Sequence, residues 1–404
     1  MLDEGNRQGE DAPRHDAHRY MNVLDVSALL DSARRETGLD DFGDPSFRAG
    51  LDVLADSLAR EARLSDVGHM AYTGQVLGYL QERLRIADWY RRYPEIDAQT
   101  IHAPIFVTGL PRTGTTALSN LLAADPAARS LRFWESQRPT PPPEAASYHT
   151  DARIAAADAV LDGLKQAAPE LASMHDDTGW SPTENQDLLG QHFRTLHFEG
   201  QGAISSYVQW WLGCDMAPAY RHHRRVLQLL QWRCPPTRWN LKSPPDICHL
   251  DAMTAEYPDV RIIWTHRDPA KVLPSVCKLI AVIRALCSEH VDLQALGRAE
   301  LALWSEAMRR GLLFRRRAGE HAFADVFMDD LVARPLETVA GVYDRFGLPF
   351  TAPAEAAMRA WLAANPQHKH GVPRYTLEEF CLSLDEVRGS FREYTQHFGI
   401  RLEA

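Results

Sequence analysis

The stretch IFVTGLPRTGTTALSNLL, from Ile105 to Leu122, limits what this chain can fold into more than any other. A short apolar run of this kind predicts a buried parallel strand. A glycine-containing turn follows, and then apolar residues at helical spacing. A strand that enters a helix through such a turn aims backbone N–H groups and the positive helix end at one point. That arrangement is an anion site. The spacing fits GxxxxGK[ST] at Gly109, Gly114 and Thr116, but Thr115 stands where the lysine belongs. A loop lacking that lysine lacks the point charge for β- and γ-phosphates. It is expected to hold a single 5′-phosphate or phosphosulfate through Arg112, Thr113, Gly114, Thr115 and Thr116, with Arg112 supplying positive charge.

Around this unit, strands alternate with helices. Residues 130–135 (SLRFWE), 238–244 (RWNLKSP), 260–267 (VRIIWTHR) and 322–331 (AFADVFMDDL) read as further strands, with helices between them. The implied fold class is α/β: a P-loop-type parallel sheet flanked by helices, with an N-terminal helical extension. The chain has 404 residues. Residues 1–21 read as a flexible polar arm and 22–100 as a helical extension packed on the core, with a helix starting at Asp44-Pro45. Residues 101–404 form the α/β domain, with a helical insertion at about 150–235. With 44 Lys and Arg against 54 Asp and Glu, the net charge is −10. That excludes bulk electrostatic binding to nucleic acid or an anionic membrane, so positive charge for an anionic ligand must be gathered locally. No apolar run is long enough for a membrane span, and no signal-peptide pattern opens the chain. The six cysteines form no CxxC pair and no zinc-ligand spacing, which predicts reduced thiols, a cytoplasmic setting and no metal.

Four segments carry a family resemblance in the same order along the chain. GLPRTGTT resembles the 5′-phosphosulfate loop of sulfotransferases that use 3′-phosphoadenosine-5′-phosphosulfate (PAPS). LKSP (241–244) resembles the strand that brings a lysine to the phosphosulfate. THRDP (265–269), with Ser275 on the next helix, resembles the 3′-phosphate site. DVFMDDLVARP (325–335) resembles the Y-x-D-L-x-x-P strand. The resemblance covers about 104–380 and is closest to long bacterial sulfotransferases with an N-terminal helical extension. It implies transfer of a sulfuryl group from PAPS to an acceptor hydroxyl, with adenosine 3′,5′-bisphosphate as the product.

Residue roles follow. Arg267, at a strand end, and Ser275, about two helical turns on, can converge on one phosphate, with the arginine offering a bidentate fork. Lys242 is expected at a strand end facing the cleft, where it neutralises the leaving phosphate. The base is expected at Glu135, 23 residues after Arg112, where the glutamate-using relatives carry a carboxylate at the end of the second strand. The histidine-using relatives carry K-[ST]-H, and here that slot is Pro244. Glu184, His175 and His197 stand next in line. Lys369, Gly371 and Arg374, in HKHGVPRYTLEEF, are candidates for closing over the 3′-phosphate or adenine. The acceptor wall is assigned to residues 175–232, with Trp180, Phe193, Phe198, Tyr207, Trp210, Trp211 and Trp232 suiting a hydrophobic alcohol. A homo-oligomer is compatible with the sequence. Two other readings stay open: a P-loop nucleotide kinase, and a non-catalytic nucleotide- or lipid-binding protein on the same fold.

Overall fold

Five strands pair in parallel as one sheet: β1 (Ile105–Gly109), β2 (Arg129–Ser130), β3 (Trp239–Lys242), β4 (Arg261–His266) and β5 (Phe323–Phe327), in the order β2-β3-β1-β4-β5. The computed structural model describes residues 24–170, 177–235, 238–366 and 375–403. The arm at 1–21 and the candidates His175, Lys369, Gly371 and Arg374 lie outside them. The connections β1 to β2 and β3 to β4 leave two adjacent strands in opposite directions. A crevice therefore opens at the C-terminal ends of β1, β3 and β4, the position where open α/β sheets bind ligands.

Side chains alternate across the sheet because strand residues point to opposite faces. Phe106, Leu241, Ile262 and Trp264 enter one apolar core, while Ile105, Val107, Ile263 and Val326 enter another on the opposite face. The helix after the anion loop, α4 (Thr115–Ala123), fills the second core with Leu118, Leu121 and Leu122. The first core is shared with the N-terminal helices α1 (Val26–Thr37), α2 (Phe47–Glu61) and α3 (Asp66–Arg92). Leu30, Leu51, Leu54, Tyr72, Val76 and Leu80 belong to the same buried cluster as the sheet residues. Each sits on the apolar stripe of its helix, at three- and four-residue spacing. No helix among the described residues is long and apolar enough to cross a membrane.

Three sequence expectations shift. The helix expected from Asp44-Pro45 begins at Phe47, and the Asp44 carboxylate instead accepts from the Ser46 N–H at 2.9 Å in a turn before it. The strand expected over 322–331 stops at Phe327, and Met328–Ala333 is helical. The strand expected over 130–135 is reduced to the Arg129–Ser130 pairing, and the helix α5 (Phe133–Gln137) follows it at once.

Two glycines show how tightly the extension docks. A Cβ at Gly50 of α2 would lie 2.3 Å from the Phe193 carbonyl oxygen, and one at Gly68 of α3 would lie 1.9 Å from that of Cys287. Gly74 of α3 has nothing within 4 Å of its Cβ position. Gly50→Ala is therefore expected to destabilise the protein by about 1–3 kcal/mol through overpacking. Gly74→Ala should stabilise it by about 0.5–1 kcal/mol through helix propensity. Urea denaturation of the two variants checks this.

Candidate active site

The turn from β1 into α4 has little freedom. Gly109 has φ +128°, and a Cβ there would sit 2.7 Å from the Thr265 carbonyl oxygen of β4. Gly114 has φ +89°, and its Cβ would meet Met328 Sδ at 2.7 Å. Both positions call for glycine on conformation as well as space. Thr113 is fully buried, and its Oγ1 lies 2.6 Å from the Leu110 carbonyl oxygen and 2.5 Å from Thr265 Oγ1. Its hydroxyl is spent on pinning the turn to β4. Thr115 and Thr116 open α4, and Gly114 provides no side-chain cap. The leading N–H groups of that helix have no intrahelical acceptor, and a helix start of this kind can hold an anion.

Arg112 adopts φ +63°, a left-handed conformation that costs a non-glycine residue roughly 1 kcal/mol. The consequence is that its side chain turns toward the helix Pro269–Cys287, where Nε donates to Ser275 Oγ at 3.2 Å. Arg267, the residue after β4, donates from Nη1 to the Arg112 carbonyl oxygen at 3.5 Å. Arg112, Arg267 and Ser275 thereby come together at one end of the crevice. Burial pushes the Arg112 guanidinium down from its usual range, Tyr375 opposes that, and the positive Arg267 adds to it. The positive Arg267 beside the Arg112 side chain favours an anion bound near them. Asp268 caps the helix by accepting from the Ala270 N–H at 3.0 Å, with its other oxygen accepting from the Glu403 N–H at 2.8 Å. The Glu403 carboxylate faces the Arg267 guanidinium, accepting from Nε at 3.0 Å and Nη2 at 3.4 Å.

At the crevice's other side, Lys242 closes β3 opposite Val107, two residues before Gly109. Its ammonium contacts Glu184 Oε1 at 2.9 Å. The lysine side chain is 7% exposed and the glutamate 37%, so the carboxylate is the solvent-facing partner. The neighbours of Glu184 hold it in place. Asn185 N–H donates to the Lys242 carbonyl oxygen at 3.1 Å, and its amide donates to Asp246 Oδ2 at 3.0 Å. Gln186 Nε2 donates to Ser243 Oγ at 2.6 Å, and Tyr220 donates to Asp246 Oδ1 at 3.0 Å. Burial pushes the Asp246 carboxyl up to about 7 despite these donors. Sequence reasoning missed Asn185, Gln186 and Asp246. The available signal was the run of hydrogen-bonding side chains in TENQD, denser than a plain loop needs.

Glu135 is placed differently from the expectation. It is the third residue of α5, fully buried, and ion-paired to Arg129. Its Oε2 accepts from the Arg132 N–H at 3.1 Å and from the Tyr148 hydroxyl at 3.2 Å. Both carboxylate oxygens are thus committed to holding α5 against β2. The physical reason is local: the Glu135 carboxylate caps the first turn of α5 at the Arg132 N–H, and its ion pair with buried Arg129 holds it inward. His197, half-buried, has Nδ1 3.9 Å from Asp187 Oδ1. The aromatic wall expected over 175–232 is mostly core. Phe193, Phe198, Tyr207 and Trp211 are buried, packed with Tyr72, Tyr79 and His249. Trp232 packs on Trp89 and Tyr93. Trp180 and Trp210 remain half-buried. Among the described residues, no three metal-ligating side chains of His, Cys, Asp or Glu gather.

Three outcomes follow. Glu135→Gln leaves Arg129 buried without its counter-charge and is expected to cost about 3 kcal/mol of stability in urea titrations. Glu184→Gln takes the counter-charge from the buried Lys242 ammonium, but from a carboxylate 37% exposed to solvent, and should cost about 1–3 kcal/mol. For Asp246, the folded-state value lies above the unfolded 3.8, so its contribution is full below about 4 and is lost as pH rises through about 7. The thermal midpoint of Asp246→Asn relative to wild type should therefore climb between pH 4 and pH 8. A flat difference across that window would contradict the assignment.

Comparison with known proteins agrees with this geometry. Residues 104–352 match the model of the sulfotransferase family. The fold superposes on the crystal structure of sulfotransferase STF9 from Mycobacterium avium with a TM-score of 0.85 at 29% identity, covering 95% of this chain and 99% of that one. For sulfotransferase STF1 from Mycobacterium tuberculosis H37Rv the TM-score is 0.83 at 32% identity, covering 92% and 99%. No curated protein sequence matched. The match over 104–352, with the 32% identity to STF1 over 92% of this chain, places this chain in the sulfotransferase family.

Proposed function

We propose that this chain transfers a sulfuryl group from PAPS to the hydroxyl of a small-molecule acceptor by in-line displacement. The observation that carries the donor assignment is the convergence of Arg112, Arg267 and Ser275 beside a phosphate loop without a lysine. In this reading Arg267 and Ser275 take the 3′-phosphate, and the N-terminus of α4 with Thr115 and Thr116 takes the 5′-phosphate. The acceptor oxygen attacks sulfur, the bond from sulfur to the bridging phosphate oxygen breaks, and adenosine 3′,5′-bisphosphate leaves. Positioning and charge stabilisation supply most of the rate, as in phosphoryl transfer. Lys242, at the end of β3 beside β1, neutralises charge on the departing phosphate.

Glu184, rather than Glu135, takes the hydroxyl proton. It is the carboxylate in contact with Lys242 and open to solvent, whereas Glu135 has no free oxygen. Lys369, Gly371 and Arg374 remain part of the proposal as a segment closing over the nucleotide. An acceptor with an apolar body is supported by the half-buried Trp180, four residues before Glu184, although the buried aromatics no longer contribute to that wall. A cytoplasmic setting completes the reading, supported by the buried thiols of Cys234, Cys248, Cys277 and Cys287. The kinase alternative needs a free aspartate for magnesium. Asp268 has one oxygen on Ala270 and the other on Glu403, which counts against it.

Transfer from labelled PAPS to a panel of long-chain alcohols, mono- and disaccharides tests the function. Sulfated alcohol is the expected product. Turnover confined to the sugars would refute an apolar acceptor, and PAPS binding with no product from any acceptor would favour the non-catalytic reading. In the same assay Glu184→Gln should lower kcat by about 10²–10⁴ with donor affinity nearly unchanged. Glu184→Gln turnover within a few-fold of wild type would pass the role of base to His197.

A further inference from the structure

The Arg267 guanidinium presents one edge, Nε and Nη2, to the two oxygens of Glu403 at 3.0 and 3.4 Å. Its remaining nitrogen, Nη1, reaches the Arg112 carbonyl oxygen at 3.5 Å. The carboxylate thus occupies the fork that a phosphate would use, in the geometry a phosphate would use. The contact is held from both sides. Ile400 is buried, and the Glu403 N–H donates to the cap residue Asp268 at 2.8 Å. Leu402 between them is 49% exposed, so the segment is fastened at Ile400 and Asp268 rather than packed along its length. Arg267 and Glu403 are 28% and 32% exposed, a depth at which solvent and a ligand can reach the pair.

We infer that Glu403 is an internal, displaceable stand-in for the 3′-phosphate that sets the affinity for donor and product. This rests on the reading of Arg267 as the 3′-phosphate ligand. A singly charged carboxylate satisfies the guanidinium when the site is empty, and a doubly charged phosphate displaces it. Every nucleotide carrying a 3′-phosphate therefore binds with an affinity reduced by the fraction of molecules in which Glu403 is undocked. A nucleotide without that phosphate never meets the competition. Adenosine 3′,5′-bisphosphate is held less tightly than the bare arginine would hold it, which favours its release after transfer.

Calorimetry with adenosine 3′,5′-bisphosphate and with 5′-AMP tests this on wild type, Glu403→Gln, Arg267→Ala and the double variant, at one fixed ionic strength. Glu403→Gln is expected to tighten the bisphosphate by about five- to ten-fold, as for a segment docked most of the time, and to leave 5′-AMP within about twofold. In the Arg267→Ala background the same substitution should change bisphosphate affinity by no more than about twofold, because the two residues act through one contact. Unchanged or weakened bisphosphate binding in Glu403→Gln overturns the inference while leaving the donor assignment standing. Equal tightening of both nucleotides overturns it as well, since that would be a general charge effect. Equal affinity of wild type for the bisphosphate and 5′-AMP overturns the donor assignment and this inference together, and so is distinguishable from the other two results.

Discussion

The turn between β1 and α4 has to pass under a carbonyl of β4 and beside Met328 while leaving the first N–H groups of α4 toward the crevice. Gly109 and Gly114 meet that demand by taking conformations closed to other residues, and Thr113 ties the result to Thr265. Arg112 accepts a left-handed backbone within the same turn, and that conformation sends its guanidinium to Ser275. The position of the proposed anion site and the position of its flanking charge therefore come from one local constraint. β3 and β4 flank β1 in the sheet, so Lys242 and Arg267 arrive on the two sides of the turn without further machinery.

A chain of net charge −10 must concentrate positive groups where it handles an anion, and here each of them is tied to an internal partner. Lys242 contacts Glu184, Arg267 contacts Glu403, and Arg112 donates to Ser275. The two carboxylates keep the buried Lys242 and the half-buried Arg267 from lying uncompensated, at a lower charge than a bound bisphosphate would bring. They also differ from the fully internal pair of Arg129 with Glu135, which holds α5 to β2 and has no exchange partner in the solvent. The distinction between a carboxylate that holds structure and one available for chemistry is, in this protein, a matter of which oxygens remain free.

The sequence was legible wherever the chemistry is contiguous. The runs at 105–110, 238–244 and 260–267 announce β1, β3 and β4, and the glycines with the missing lysine announce the anion loop. The shared sheet edge then gathers Arg112, Lys242, Arg267 and Ser275. Legibility stops where partners are distant in the chain. Lys242 and Glu184 are 58 residues apart, and Arg267 and Glu403 are 136 apart. Nothing in their spacing ties them. SLRFWE misleads for another reason: its apolar pattern suits a strand, but of its residues only Ser130 pairs with β3, and from Phe133 the chain coils into α5. The aromatics of 190–211 look like a ligand wall in composition, and tertiary packing absorbs most of them: Phe193 and Phe198 against Tyr79 and Tyr72 of α3, Trp211 against His249. Whether an aromatic faces core or cleft is decided by the helix opposite, which local sequence does not specify.

In the proposed donor site the paired arginines read a 3′-phosphate while the loop holds the 5′ end of the same nucleotide. A crystal structure with adenosine 3′,5′-bisphosphate bound tests it most directly. The account requires density for the 3′-phosphate between Arg267 and Ser275 and for the 5′-phosphate at the N–H groups of Thr115 and Thr116. A nucleotide placed with its 3′-phosphate away from Arg267, or with no phosphate at the start of α4, would contradict it.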